Sequence, residues 1–289
     1  MKPPPFEHHL PRTLGEAVGH LRLFENARVL AGGQSLMPML NLRLTYPEHL
    51  IDLNGIEGLA YIREDRDEVV IGAMTAQRTI EFSELVKRRL PLMAEAILSV
   101  GHRQTRNRGT IGGSLCHLDP AAELPLVAVA FDAVVTVTGA DGNREVAMAD
   151  FAAGFMTPAI EPGEIVSAIR FRPWREGHGY AFTEYARRKG DFAMVSVAAM
   201  LEQGSDGRIT RASLALGGVG PVPLRVAAAE AVLVGGMPGA ELFARAATHC
   251  ADIDPLDDAH VPSWYRRKLG PVLARRVLVV AAVRAGKTA

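Results

Sequence analysis

Cysteine is almost missing from this 289-residue chain. Cys116 and Cys250 lie far apart, with no Cys-x-x-Cys pair and no paired histidines at ligand spacing. That excludes a disulfide framework and gives no expectation of a structural zinc or any other metal site, and it points to a reducing compartment. Net charge is also missing: Lys+Arg and Asp+Glu number 32 each, without a basic tract, so nucleic acid is not an expected partner. Long apolar runs are absent too. LPLVAVAF (124–131) and VLVVAAV (277–283) fall far short of a bilayer span, and MKPPPFEHHL places three prolines where a signal peptide needs an apolar segment. The chain therefore reads as soluble and cytoplasmic. Lysine is scarce, 5 against 27 arginines. A GC-rich coding sequence accounts for this as well as a need for guanidinium groups at an interface does.

What is present is a core-forming sequence, 48% hydrophobic and long enough for two domains. The opening segment alternates: a helix through TLGEAVGHLRLF (13–24), a strand ARVLAG, a glycine turn, a helix from LMPMLNLRL and a strand HLIDL. Thr13 and Glu16 have capping-box spacing. From about residue 57 strands and turns take over: a hairpin in YIREDRDEVVIGAMT, a helical stretch TIEFSELVKRRLPLMAEAILSV, a hairpin around ADGN, and a strand EIVSAIRFRP ended by Pro173. WREGHG (174–179) is a boundary. Beyond it YAFTEYARR and DFAMVSVAAML read as strands joined by a tight turn at Lys189, Gly190 and Asp191, RITRASLALGG adds a third, and helices follow to the end.

Two double-glycine segments carry the chemistry. AGGQS (31–35) sits between a strand and a helix, where the missing Cβ atoms let backbone N–H groups converge on a phosphate. TIGGS (110–114) has the same character. Together they have the makings of a diphosphate cradle, with Gln34, Ser35, Thr110 and Ser114 as side-chain donors; each taken alone is equally a tight turn. Neither matches G-x-G-x-x-G or the P-loop, and LGGVGPVP (216–223) fails the first because Pro223 occupies its third glycine position. In HLDPAAELP (117–125), Asp119 reads as a helix N-cap with Pro120 at the first helical position. Glu123 then falls one residue beyond a capping box. It is free to accept hydrogen bonds from ribityl or ribose hydroxyls, or it complements the helix dipole. His102 and His117 read as polar loop residues. Arg103, Arg106 and Arg108 either balance a diphosphate or form a solvated face.

AGGQSLMPMLNLRL, RNRGTIGGSLCHLDPAAELP, FTEYARRKGDFA, LGGVGPVPLR and YRRKL, in this order over almost the whole chain, together resemble the FAD-binding medium subunit of molybdenum hydroxylases, the CO dehydrogenase, xanthine dehydrogenase and quinoline oxidoreductase type. The resemblance implies an α+β fold of the vanillyl-alcohol-oxidase type. Residues 1–176 would form the FAD domain, in subdomains of about 1–56 and 57–176, and 177–289 a C-terminal domain of a small antiparallel sheet with helices. It implies FAD contacts at Ala31, Gly32, Gly33, Gln34, Ser35 and Leu36, at Thr110, Ile111, Gly112, Gly113 and Ser114, and at Asp119 and Glu123. Val166 corresponds to an apolar residue near the flavin ring and Phe192 to the residue set against the isoalloxazine. Some relatives carry a Lys that contacts FAD where this chain has Thr183 and Glu184. Arg187 or Lys189 is then left as the candidate for tuning the flavin potential.

The implied function is an electron outlet. Substrate is oxidised at a molybdopterin centre in a large subunit, 2Fe-2S clusters in a small subunit relay electrons, and FAD passes them to an acceptor, in a dimer of heterotrimers. This chain lacks the cysteines for clusters, so FAD is its only expected cofactor, and it needs no catalytic nucleophile or acid–base pair. A self-sufficient flavin oxidoreductase and a nucleotide-binding assembly module are the alternatives. The first would reduce its flavin with no partner present, and the second would carry no flavin spectrum.

Overall fold

The computed structural model describes residues 1–255, 257–258 and 261–286. The last three residues of the expected second domain lie outside them. The α+β class holds.

The first segment builds β1 (Glu7–His9), α1 (Leu14–Leu23), β2 (Ala27–Leu30), α2 (Leu36–Asn41) and β3 (His49–Asp52). Its strands form a parallel sheet in the order β1-β3-β2. Thr13 caps α1, its hydroxyl accepting the Glu16 N–H at 3.1 Å. The Glu16 carboxylate returns to the Arg12 N–H at 2.7 Å, one residue short of a true capping box.

Next come β4 (Ile62–Asp65) and β5 (Glu68–Gly72), then α3 (Gln77–Phe82), α4 (Glu84–Arg89), α5 (Pro91–Ala96), α6 (Arg103–Arg108), α7 (Ile111–His117) and α8 (Glu123–Ala130). β6 (Val134–Gly139), β7 (Gly142–Ala147), α9 (Met148–Phe151), β8 (Ala152–Gly154), β9 (Thr157–Pro158) and β10 (Ile165–Phe171) complete this part. The antiparallel sheet runs β4-β5-β10-β6-β7, and both expected hairpins are present in it. The helical stretch expected over 79–100 is broken into pieces. Ser83 is extended (φ −69°, ψ 117°) and caps α4. Leu90 leaves the helical region (φ −129°, ψ 56°) because Pro91 follows it.

The last part contains β11 (Gly179–Tyr185), β12 (Val195–Gln203), β13 (Ile209–Gly217) and β14 (Leu224–Arg225) in one antiparallel sheet, with α10 (Ala227–Leu233), α11 (Ala240–Thr248) and α12 (Ser263–Ala285). β11 and β12 are not joined by a tight turn. β11 ends at Tyr185, and DFAM belongs to a loop of residues 186–194. Gly190 (φ +86°) presses this loop onto His102, whose ring a Cβ at Gly190 would meet at 2.6 Å.

α8 shows why LPLVAVAF is apolar on every side. All eight residues of the helix are buried, and it lies between the five-stranded sheet's core and β12–β13. Ala198, Met200 and Ala215 of the last sheet share that core. The opposite face of the last sheet packs on α10–α12 in a second core. Covered on both faces, β12 reads as a continuous apolar run. Arg284 fastens the parts at their periphery, donating to Glu95 and to the Tyr180 carbonyl, both at 2.6 Å.

Candidate functional site

β2 and β3 end side by side, and in open parallel sheets ligands bind outside the carboxyl ends of strands. After β2 the chain turns through Ala31–Ser35 into α2. Gly33 is left-handed (φ +71°), and a Cβ at Gly32 would lie 2.0 Å from the Arg108 carbonyl oxygen. Among the described residues no acceptor pairs with the N–H groups of Gly32, Gly33, Gln34 and Ser35. Ser35 occupies the N-cap of α2 without a side-chain bond, Leu36 opens the helix, and Gln34 donates to the Gly32 carbonyl at 3.2 Å. After β3, Asp52 accepts the Asn54 N–H at 2.9 Å, and the Asn54 amide reaches the Ala31 carbonyl at 3.0 Å. These two loops and Arg108 enclose a cleft of about 320 Å³ lined also by Leu30, Met37 and Pro38. A larger concavity, about 440 Å³ at residues 236–245, gathers Glu241 and Arg245 among small and apolar residues and contains none of the residues singled out by sequence.

The second double glycine does reach the first. A Cβ on Gly113 would lie 3.7 Å from that of Ala31, and Gly32 abuts the Arg108–Gly109 backbone. Yet TIGGS is no turn: Thr110 caps α7, and both glycines lie in its first helical turn. Its amides are engaged within the protein. Ile111 N–H donates to the Thr75 carbonyl at 3.1 Å, Gly112 to Ala73 at 2.9 Å, Gly113 to the Thr110 hydroxyl at 3.1 Å, and Ser114 to the Thr110 carbonyl at 3.1 Å. Gly112 is required by packing, since a Cβ there would meet Ala73 at 2.6 Å. The two segments meet as expected, but only 31–35 presents free amides. Residues 110–114 build the wall behind it.

Asp119 does not cap α8. Its carboxylate accepts the Ala121 N–H at 2.9 Å in a local turn, and the helix begins with Glu123 itself, after Ala122. Pro120 is held outside the helix because its carbonyl accepts the Gly218 N–H at 2.7 Å, the role LGGVGP plays here. Glu123 is 6% exposed. Burial pushes its carboxyl up to about 8, aided by the negative charges of Glu184 and Asp119 and opposed by its own backbone N–H and by Arg106. Glu184 on β11 is likewise raised by burial, to about 7, while a hydrogen bond from Ser99 opposes the rise and its Oε2 has no partner among the described residues. A buried carboxyl with unfilled acceptor capacity, as at Glu184, favours a ligand that brings hydroxyl donors.

The arginines separate. Arg106 is committed to Glu81 at 2.9 Å and to the Val100 carbonyl, whereas Arg108 lines the cleft and Arg103 is exposed. His102 is the N-cap residue of α6, and His117 ends α7 with its pKa lowered by burial. Val166 lies in β10 at 3% exposure within the main core. Phe192 is 62% exposed in the loop of 186–194, where Arg187 and Lys189 are exposed too. Arg266 of YRRKL secures the base of that loop. Buried at 7% exposure, it donates to the Met194 and Gly218 carbonyls and pairs with Asp258.

Sequence reasoning missed Asp52, Asn54, Met37 and Pro38. The available signal was DLNG directly after an apolar strand, an Asx turn at the end of the neighbouring parallel strand.

The chain is similar to known proteins over nearly its whole length. Residues 4–174 match the FAD binding domain in molybdopterin dehydrogenase, and 180–281 match the CO dehydrogenase flavoprotein C-terminal domain. The carbon monoxide dehydrogenase medium chain of Afipia carboxidovorans is 39% identical, with 99% of each chain covered. Subunit alpha of the 6-hydroxypseudooxynicotine dehydrogenase complex of Paenarthrobacter nicotinovorans is 36% identical, covering 100% of this chain and 98% of that one. Carbon monoxide dehydrogenase from Hydrogenophaga pseudoflava superimposes with a TM-score of 0.95 at 38% identity, over 98% of this chain and 99% of that one. Quinoline 2-oxidoreductase from Pseudomonas putida 86 gives the same TM-score at 34% identity, over 99% of each. The chain belongs to the family of FAD-binding medium subunits of molybdenum hydroxylases. It is the flavoprotein subunit of an oxidoreductase, and FAD is its cofactor.

Proposed function

We propose that this chain is the electron outlet of a heteromeric molybdenum hydroxylase, accepting electrons from 2Fe-2S clusters in a small subunit while a large molybdopterin subunit oxidises the substrate. The observation that carries the reading is the row of unpaired amides at Gly32–Ser35, closed on one side by the Arg108 backbone and lying over a cleft. FAD, when bound, supplies the electron carriage that side chains lack. Ala31–Leu36 hold its pyrophosphate by backbone donors, with the Arg108 charge alongside and Thr110–Ser114 as the supporting wall. Asp119 orients the turn ahead of α8, and Glu123 accepts from the cofactor's hydroxyls. Phe192 would cover a face of the flavin ring, and Val166 would stand near that ring. Arg187 or Lys189 sets the flavin potential. Residues 1–176 act as the FAD domain, in subdomains of about 1–56 and 57–176, and 177–289 act as the C-terminal domain.

No helix among the described residues is long and apolar enough to cross a membrane. We place the complex in the cytoplasm, as a dimer of heterotrimers. The named relatives include a carbon monoxide dehydrogenase medium chain and a subunit of a 6-hydroxypseudooxynicotine dehydrogenase complex, which supports partner subunits here.

The isolated chain loaded with FAD is expected to keep its oxidised flavin spectrum in the presence of the complex's substrate, whereas in the assembled complex the same substrate bleaches it. Bleaching of the isolated chain would overturn the relay reading. A flavin content near zero in the complex would overturn the proposed site.

A further inference from the structure

β1 is an edge strand, and three of its neighbouring polar groups converge on one face. In the parallel ladder Glu7 pairs directly with His49, and His9, two residues along β1, points to the same side. His9 Nε2 lies 3.0 Å from His49 Nδ1, and the Glu7 carboxylate lies 3.5 Å from His49 Nδ1 and 3.9 Å from His9 Nε2. A tetrahedral zinc bound at its usual ligand distances separates adjacent donor atoms by about 3.4 Å. The three observed separations bracket that value.

The rings are held in place. Phe24, at the end of α1, stacks on His9 (centroids 4.5 Å apart, planes 23°) and on His49 (4.3 Å, 18°), and His20 approaches His9 edge-on at 5.3 Å. His20 Nδ1 is buried with no partner among the described residues, so this pocket contains one more nitrogen with unused capacity. His8 points the other way and bonds Asp52 at 3.0 Å, so the cluster shares no residue with the cleft lining.

We propose that Glu7, His9 and His49 form a three-ligand site for a borderline divalent cation of the zinc class, which bolts β1 to β3 and leaves one coordination position for water. Two nitrogens and one carboxylate oxygen suit such an ion better than magnesium or calcium, which take oxygen ligands. The site was invisible in the sequence because its ligands come from strands 40 residues apart, outside any ligand spacing that a motif records.

The test uses the full-length, untagged flavoprotein, dialysed against zinc buffered at micromolar free concentration, with bound metal counted by mass spectrometry and stability followed by thermal unfolding. One equivalent of zinc is expected, with a raised Tm. Glu7→Gln and His49→Ala should each weaken zinc binding, His49→Ala by more than about 100-fold, while His249→Ala, far away in sequence, leaves it intact. Glu7 is exposed, so Glu7→Gln remains folded if His49→Ala does not. Absence of bound zinc in the wild type, or full retention in Glu7→Gln, would overturn the assignment whatever the flavin does.

Discussion

Gly32→Ala is expected to yield a folded protein that has lost its FAD. The added Cβ would stand 2.0 Å from the Arg108 carbonyl oxygen and 2.7 Å from its carbon, distances that non-bonded atoms do not tolerate. The obstacle is backbone, and it cannot rotate away. Gly109, which follows, is fixed by its N–H donating to the Thr105 carbonyl at 2.7 Å and by its carbonyl accepting the Gln77 N–H at 2.8 Å. The turn must therefore move outward, and the free N–H groups of Gly32–Ser35 move with it. Misaligning several charge-assisted donors costs a few kcal/mol, so FAD affinity should fall by about 100-fold or more. The flavin-to-protein absorbance ratio after gel filtration reads this directly. Gly19→Ala is the matched control: that glycine lies in α1 with nothing within 4 Å of the new Cβ, and its flavin content should be unchanged.

The second large effect is a pH dependence. Glu123 has its carboxyl raised from 4.5 to about 8 by burial first and by the charges of Glu184 and Asp119 second. The folded protein therefore holds this proton more tightly than the unfolded chain does. Between the unfolded value and about 8, the native state binds more protons, so the Glu123 contribution makes flavin-free protein less stable as pH rises, by about 1.4 kcal/mol per unit. Glu184, raised by burial to about 7, slopes the same way, whereas several other groups slope the opposite way. Glu81 and Asp52 are held below the usual carboxylate range by their hydrogen-bond partners, and they lose stability only as pH falls further. His9, His117 and His178, lowered mainly by burial, favour higher pH up to the ordinary imidazole value. The Glu123 share is isolated by the difference between wild type and Glu123→Gln. In urea unfolding of the flavin-free proteins, that difference should move in favour of the variant from pH 5 to 8. A difference that stays flat across this range would mean Glu123 is ionised in the folded protein.

Much of the fold was legible because local signals agreed with one another. The hairpins at 62–72 and 134–147 were written in short apolar runs with turn residues between them, and Thr13 capped its helix as read. The failures share a cause in tertiary contacts. Asp119-Pro120 has the form of a helix start, but the Pro120 carbonyl is taken by Gly218, about a hundred residues away, and the helix waits for Glu123. Lys189-Gly190-Asp191 has the form of a hairpin turn, but Gly190 rests on His102 and the strands part before it. In the site, residues 31–35 could be read because glycine and a strand-to-helix position are both local. Asp52 and Asn54 were passed over because their importance lies in sitting beside β2, which the sheet order decides. The equivalence assumed between the two double glycines also failed for a reason no spacing reveals. In the second segment Ile111 donates to Thr75 and Gly112 to Ala73, acceptors on a different part of the chain.

The most direct measurement compares the affinities of flavin-free protein for FAD and for riboflavin, which shares the isoalloxazine ring and lacks the pyrophosphate. If the amides of Gly32–Ser35 hold that acidic bridge, FAD binds at least about 100-fold more tightly, and most of the margin disappears in Gly32→Ala. Equal affinities for the two flavins in the wild-type chain would contradict the cradle.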